Sequence, residues 1–368
     1  MKIIIDDKIP YIKDVLEPYG TVKYIAGKDI SAKDTKDADA LIVRTRTKVN
    51  KALLENSSVK FIATATIGFD HIDRVYLKGQ NIPWTSCPGC NSESVSQYIT
   101  SSLIHLEEKY GEPLAGKTMG IVGAGNVGKK IIKKAKALDM NVLVNDPPRA
   151  REEGPEGFCD IEQIISKADF ITLHVPLFRD GEDKTFHMVD TDFLNSMKSN
   201  TIIMNTCRGE VIDNQALKSA LQNREIRGAV IDVWENEPGI DPELMDLVDI
   251  GTSHVAGYSA DGKSNGTSMS VQALSRHFGL ELNNWFPDTV PMPNPEIVLS
   301  QSGYEGVKEA IRKTFDIMTD DRPLREDVSS FEFNRGNYQL RREFHNYTVS
   351  GSDKINTPIL KGLGFNIA

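Results

Sequence analysis

No stretch of the 368 residues stays apolar for the roughly 18 positions that a helix needs to cross a bilayer, so a membrane-spanning protein is not expected. Excess positive charge is missing too. Against 43 lysines and arginines stand 52 acids, a net charge of −9, which argues against nucleic acid as the main partner. An anionic small molecule stays open, because basic residues gathered locally override the global charge. Cysteine is scarce: Cys87, Cys90, Cys159 and Cys207. Cys87-Pro-Gly-Cys90 has the spacing of a redox or zinc pair, but no second C-x-x-C or H-x-H lies near it. Nor does the pair open the helix of a thioredoxin-like unit, so the reading is a turn with incidental cysteines and no metal. Internal repeats and low-complexity tracts are absent. Met1-Lys-Ile-Ile-Ile-Asp-Asp7 puts acids where a signal peptide would stay apolar, and a cytoplasmic location is the expectation. At this length, beyond the roughly 250–300 residues of a single core, two or three domains are expected.

Glycine, by contrast, is concentrated where it is informative. In Met119-Gly-Ile-Val-Gly-Ala-Gly-Asn-Val-Gly128 an apolar strand ending at Val122 meets Gly123, Gly125 and Gly128, the G-x-G-x-x-G spacing, and Lys129 to Leu138 follows with helical periodicity. The first glycine permits a tight turn, the second lets backbone approach a pyrophosphate, and the third lets helix and strand pack closely. The helix start, at Asn126 and Val127, then offers free N–H groups and a positive dipole end. Asp146 ends the next strand, 18 residues beyond Gly128. A carboxylate there accepts bonds from ribose hydroxyls and repels a 2′-phosphate, which favours NAD over NADP. Arg149 works the other way, although Pro147 and Pro148 intervene.

Around this motif the chain alternates strand and helix. Apolar runs at 2–5, 21–25, 38–43 and 61–66 predict four strands, with an amphipathic stretch between Asp7 and Leu16. A helix over 91–108 leads to six further strands at 119–122, 141–145, 170–175, 201–205, 229–233 and 248–252, the number a complete dinucleotide domain uses. The proline-rich stretch 287–295 reads as a linker. Beyond it come a helix near 303–318, a charged segment 320–325 and a strand near 346–350.

Ligands in parallel α/β sheets bind beyond the carboxyl ends of strands. Arg44, Thr45, Lys48 and Thr66 stand at such ends and suit a small anion. Arg208, Glu237 and His254 also follow strand ends, after three late strands. Singly each has an ordinary explanation: a strand-end cap, a solvated turn residue, a satisfied loop histidine. Together, behind a cofactor motif, they fit oxidation of a 2-hydroxy acid. Arginine grips a carboxylate with two parallel bonds. Histidine takes the hydroxyl proton as hydride leaves the same carbon. A carboxylate on the far ring nitrogen holds the tautomer.

Over roughly residues 1–285 the sequence resembles the D-isomer-specific 2-hydroxyacid dehydrogenases. The likeness is carried by Val43-Arg-Thr-Arg-Thr-Lys-Val49, Gly68-Phe-Asp-His-Ile-Asp73, the glycine motif, Asn205-Thr-Cys-Arg-Gly209, Asp232-Val-Trp-Glu-Asn-Glu-Pro238 and Ser253-His-Val-Ala256. The resemblance implies that Arg208, Glu237 and His254 are catalytic. It also implies that Asp146, Val175, Asp232 and Gly257 border NAD, and that Thr45, Thr66 and Tyr258 contact substrate. Further pointers, Thr64-Ala-Thr66, Pro88-Gly-Cys-Asn91, Asn145-Asp-Pro-Pro-Arg149, Ala256-Gly-Tyr-Ser-Ala-Asp-Gly-Lys263 and the C-terminal segment, resemble a branch of the family that acts on a phosphorylated hydroxy acid and forms a homodimer through that segment. Arg44, Lys48 and Arg342 are then candidates for the phosphate. Thr45 stands where serine is frequent, which keeps the hydroxyl; Val175 stands where threonine is common, so a contact there comes from backbone.

The implied fold class is α/β, with two doubly wound parallel-sheet domains and a small α+β C-terminal dimerisation domain. A Rossmann NAD-binding domain spans 94–256, a flavodoxin-like substrate domain spans 1–93 and 257–285, and the C-terminal domain spans 286–368. Two alternatives stay open: a dehydrogenase of the same family acting on 3-phosphoglycerate or glyoxylate, and an NAD-sensing interaction protein of the same fold.

Overall fold

The continuous apolar runs Ile3-Ile-Ile5, Ala40-Leu-Ile-Val43 and Phe61-Ile-Ala63 form strands buried on both faces, as parallel sheets require. The computed structural model describes residues 1–292 and 294–368, so Pro293 of the proline-rich stretch lies outside the described residues. The chain divides into two compact units: residues 1–91 with 259–291, and residues 92–258 with 292–368.

In the first unit β1 (Lys2–Asp6), β2 (Thr21–Ile25), β3 (Ala40–Val43), β4 (Phe61–Thr64) and β5 (Trp84–Thr85) are all parallel, in the order β2-β1-β3-β4-β5. Winding reverses between β1 and β3, which opens a crevice at their carboxyl ends. The amphipathic stretch before Leu16 is not a helix. It is a run of turns with Tyr11 and Asp14 at φ 63° and 65°, while Ile9, Ile12 and Leu16 still bury against the sheet. The helix Ala260–Phe278 covers the same face through Val271 and Leu274. Its apolar pattern is thin because close approach replaces it: a Cβ on Gly266 would stand 3.0 Å from the Ala65 carbonyl oxygen. Ser259 caps its start by accepting from Gly262 N at 2.8 Å, and Gly279 closes it in the left-handed region.

The second unit holds β6 (Thr118–Val122), β7 (Asn141–Asn145), β8 (Phe170–Leu173), β9 (Ile202–Asn205), β10 (Gly228–Ile231) and β11 (Ile250–Gly251), parallel in the order β11-β10-β9-β8-β6-β7. Here the winding reverses between β6 and β8. Several strands stop sooner than their apolar runs do, leaving His174, Val175, Asp232 and Val233 in loops. The helix Ser92–Tyr110 is buried along most of its length and packs on the helix Asn126–Ala137.

The C-terminal segment adds β12 (Glu296–Val298), β13 (Thr348–Ser350) and β14 (Asn366–Ile367), a small parallel sheet. The helix expected near 303–318 ends at Thr314, because Phe315 turns to extended backbone and buries its ring. A second helix, Met318–Glu326, takes in the charged segment with Pro323 inside it. Ile297, Val307, Phe344, Val349 and Leu360 share one apolar core with Leu103, Ile131 and Leu138. The C-terminal segment therefore shares its core with the dinucleotide-type unit and belongs to the same compact body.

Candidate active site

The loops that leave the carboxyl ends of the second sheet carry the residues singled out for the cofactor and for catalysis. At the reversal point, Gly123 has φ +90°, and a Cβ there would lie 2.5 Å from the His174 carbonyl oxygen. A Cβ on Gly128 would lie 2.1 Å from the Gly123 carbonyl oxygen. Both positions demand glycine by close approach. Gly125 faces open space, with nothing within 4 Å, and with Asn126 it is exposed. The helix beginning at Asn126 has no side-chain cap and no acid in its first turn, so its leading N–H groups present uncompensated positive ends. Val127 turns inward against the core. Asp146 accepts from Ala124 N at 2.8 Å and from Arg149 N at 3.1 Å, which ties the glycine turn to the end of β7. Arg149, the residue that spoke for NADP, forms two bonds with Glu153, at 2.7 and 2.6 Å. An exposed glycine cradle, an uncapped helix start and a carboxylate beside them fit NAD. Desolvation pushes His174, just after β8, down to about 3, so its ring is neutral; Nε2 pairs with Thr172 Oγ1 at 2.8 Å.

Arg208, Glu237 and His254 follow β9, β10 and β11, three adjacent strands. The first two loops are pressed together: a Cβ on Gly209 would stand 2.1 Å from the Trp234 carbonyl. Asn205 shapes the arginine turn, accepting from Cys207 N at 3.0 Å and donating to Arg208 O at 2.9 Å. Arg208 is half-buried, and its Nη1 donates to Cys207 O at 2.6 Å. His254 Nδ1 lies 2.8 Å from Glu237 Oε2, and the other Glu237 oxygen accepts from Trp234 N at 2.9 Å. An ionised carboxylate only accepts, so Nδ1 carries the proton and Nε2 is left as an acceptor. Burial alone would raise the Glu237 carboxyl, but the His254 hydrogen bond and charge, the Trp234 N–H and the charge of Arg335 outweigh it and hold it below the usual range.

Asp232 does more than its sequence position suggests. Its carboxylate, 1% exposed, accepts from Thr252 Oγ1 at 2.6 Å, Val255 N at 2.7 Å and Ala256 N at 3.0 Å, while its carbonyl accepts from His254 N at 2.7 Å. One buried acid therefore clamps both sides of His254, which sits at φ +55°, a conformation that persists only when its surroundings over-determine it. Tyr98 OH lies 2.8 Å from Thr252 Oγ1, and Trp234 Nε1 donates to Thr252 O at 2.9 Å. Gly257 continues this loop into Tyr258. Thr252, Trp234 and Tyr98 escaped the sequence reading, as did Arg335.

In the first unit Arg44, Thr45 and Lys48 lie on the loop after β3; Thr45 and Lys48 are exposed, and Arg44 Nη1 donates to Lys8 O at 3.2 Å. Thr66 Oγ1, after β4, lies 2.7 Å from Thr64 Oγ1, which in turn lies 3.0 Å from His71 Nε2. Arg342, in the C-terminal segment, is buried and donates to Asn346 Oδ1 at 2.7 Å. Cys87 is free and buried, its Sγ within 3.3 Å of Thr64 O and 3.2 Å of Gly266 O. Among the described residues no helix is long and apolar enough to cross a membrane.

Residues 93–256 match the NAD-binding domain of D-isomer specific 2-hydroxyacid dehydrogenases, and residues 291–364 match a domain of unknown function. An erythronate-4-phosphate dehydrogenase of Bacteroides fragilis is 48% identical over 95% of this chain and 99% of its own. One from Escherichia coli K12 is 39% identical over 100% and 98%. Among solved structures, D-lactate dehydrogenase from Aquifex aeolicus, complexed with NAD and lactic acid, superposes with a TM-score of 0.64 at 25% identity, covering 80% of this chain and 100% of that one. With near-complete coverage at such identity, and with a glycine cradle and an Arg–Glu–His set at adjacent strand ends, the chain belongs to the erythronate-4-phosphate dehydrogenases, within the D-isomer-specific 2-hydroxyacid dehydrogenase family.

Proposed function

We propose that this enzyme oxidises 4-phospho-D-erythronate at C2 to 3-hydroxy-2-oxo-4-phosphooxybutanoate, a cytoplasmic step toward pyridoxal 5′-phosphate. The observation that carries the reading is the 2.8 Å pair of His254 Nδ1 with Glu237, which leaves Nε2 free to take a proton, beside an arginine that suits a carboxylate. When bound, NAD supplies the hydride acceptor. Gly123, Gly125, Asn126, Val127 and Gly128 would hold its pyrophosphate, Asp146 its ribose, and Val175, Asp232 and Gly257 would border it.

Arg208 grips the substrate carboxylate and fixes C2. His254 Nε2 accepts the C2 hydroxyl proton, and the ring becomes a cation against Glu237, already ionised and desolvated. Thr45, Thr66 and Tyr258 contact the substrate, and Arg44 and Lys48 contribute positive charge. The C-terminal segment pairs two copies of the chain, a reading supported by four exposed apolar side chains on it: Val298, Phe333, Leu340 and Ile355.

The test is NADH formation with 4-phosphoerythronate, erythronate and 3-phosphoglycerate side by side. A strong preference for the first is expected. Preference for 3-phosphoglycerate would assign the chemistry to a different substrate.

A further inference from the structure

Arg335 is a further arginine beside the catalytic loops, supplied by the C-terminal segment. It lies near the end of the short helix Phe331–Gly336, and its Nη2 stands 3.3 Å from the Tyr258 hydroxyl, four residues beyond His254. The guanidinium carbon lies 5.9 Å from the ring centroids of both Tyr258 and Phe331. Its Nε is buried with no hydrogen-bond partner. The carboxylate it pairs with, Glu332 Oε1, stands off at 3.9 Å from Nη1, too loose to neutralise it. The Tyr258 ring is itself braced. Tyr338 meets it edge-on at 5.6 Å and donates its hydroxyl to Asp320 Oδ2 at 2.6 Å. Two neighbouring arginines of the same segment are buried instead: Arg341, 3% exposed, donates Nη2 to Ala256 O at 2.6 Å with Nε and Nη1 unpartnered, and Arg342 bonds Asn346.

We propose that Arg335, with the Tyr258 hydroxyl, forms the subsite for the substrate's terminal phosphate. The proposal rests on the reading of the substrate as a phosphorylated hydroxy acid. That substrate has an anion at each end. Arg208 takes the carboxylate beside C2, and a dianion at the far end needs a cation of its own. Arg335 suits that role. Its planar fork matches phosphate oxygens, two rings lie beside it at 5.9 Å, and the tyrosine contributes a hydroxyl. An unphosphorylated hydroxyl at the same place would leave the guanidinium only the distant Glu332 carboxylate and the charge of Glu237, so the subsite favours the phosphate. No motif marks Arg335 in the sequence, because the tyrosine it faces comes from a loop 77 residues earlier.

The experiment compares wild type, R335Q and R335K in kcat/KM for 4-phosphoerythronate and for erythronate, together with competitive inhibition by inorganic phosphate. Losing a charge-assisted contact should lower the phosphorylated-to-unphosphorylated ratio on the order of 10–100-fold in R335Q, weaken phosphate inhibition in parallel, and leave R335K between the two. An equal loss on both substrates, or a shifted pH profile with the ratio unchanged, would overturn the subsite and assign Arg335 to Glu237 alone. If R335Q unfolds, R335K keeps the stem over both rings and reads the same ratio. A wild type that does not prefer the phosphorylated substrate would refute the proposed function itself, and phosphate inhibition of R335Q would still report on the anion subsite.

Discussion

The loops after β9, β10 and β11 and the loop after β3 both end parallel strands, and both carry polar residues fit for an anionic substrate, yet they are built differently. In the late-strand loops every reactive side chain is fixed by something buried behind it. Asp232 clamps the His254 backbone from both sides, Glu237 holds the ring, Asn205 shapes the arginine turn, and Gly209 lets two loops touch. In the loop after β3, Thr45 and Lys48 reach outward from a backbone whose buried anchor is Thr47, donating to Gly27 O at 2.9 Å. A proton-transfer site must be held within a fraction of an ångström to act. Binding a flexible anion tolerates more slack. The two constructions should therefore differ sharply in what a substitution costs.

The largest effect should come from His254→Ala. Loss of the general base should lower kcat by about 10²–10⁴-fold while NAD still binds, measured by turnover and cofactor titration; retained turnover would remove His254 from the reaction. Asp232→Ala tests the clamp. It strands two buried N–H groups and the Thr252 hydroxyl, so stability should fall by about 3 kcal/mol, read from denaturant unfolding, and kcat should fall with it. A variant that loses stability but keeps its kcat would show that the clamp serves the fold and not the positioning of His254.

Much of this architecture is legible without coordinates, and what escapes does so for identifiable reasons. Buried parallel strands announce themselves as apolar runs, which is why β1, β3, β4 and the six strands of the second sheet can be read directly. The helix Ala260–Phe278 hides because glycine and serine, not apolar periodicity, let it lie close to the sheet; Ser268 and Ser270 turn their hydroxyls back onto carbonyls four residues earlier, at 2.8 and 2.9 Å. Strand β5 is two residues long and follows a proline. Among site residues, Arg208, Glu237 and His254 stand in short recognisable runs. The part played by the Asp232 carboxylate cannot be seen there, because its partners reach it only when the loop after β11 folds back. Arg335 is a longer-range case of the same kind.

A weaker effect comes from His174, at the end of β8. Its ring stays neutral in the fold, at about 3, against an unfolded value near 6.5. Protons therefore bind the unfolded chain preferentially between those limits, and stability is lost as pH falls through that window. Between pH 7 and pH 5 this should cost about 2 kcal/mol, and His174→Gln should flatten the slope; an unchanged slope would mean that the ring is not the group responsible.

The smallest effect should be that of Thr45→Ala. An exposed hydroxyl on a loop anchored only beside it, through Thr47, contributes one hydrogen bond to a substrate that water would otherwise satisfy. The net loss should be about 0.5–1.5 kcal/mol, appearing as a several-fold rise in KM with kcat nearly unchanged. If kcat instead fell as steeply as in the His254 variant, the loop after β3 would have to be held in the reacting state as firmly as the loop after β11. The contrast between a rigid catalytic wall and a compliant binding loop would then belong to the free enzyme alone.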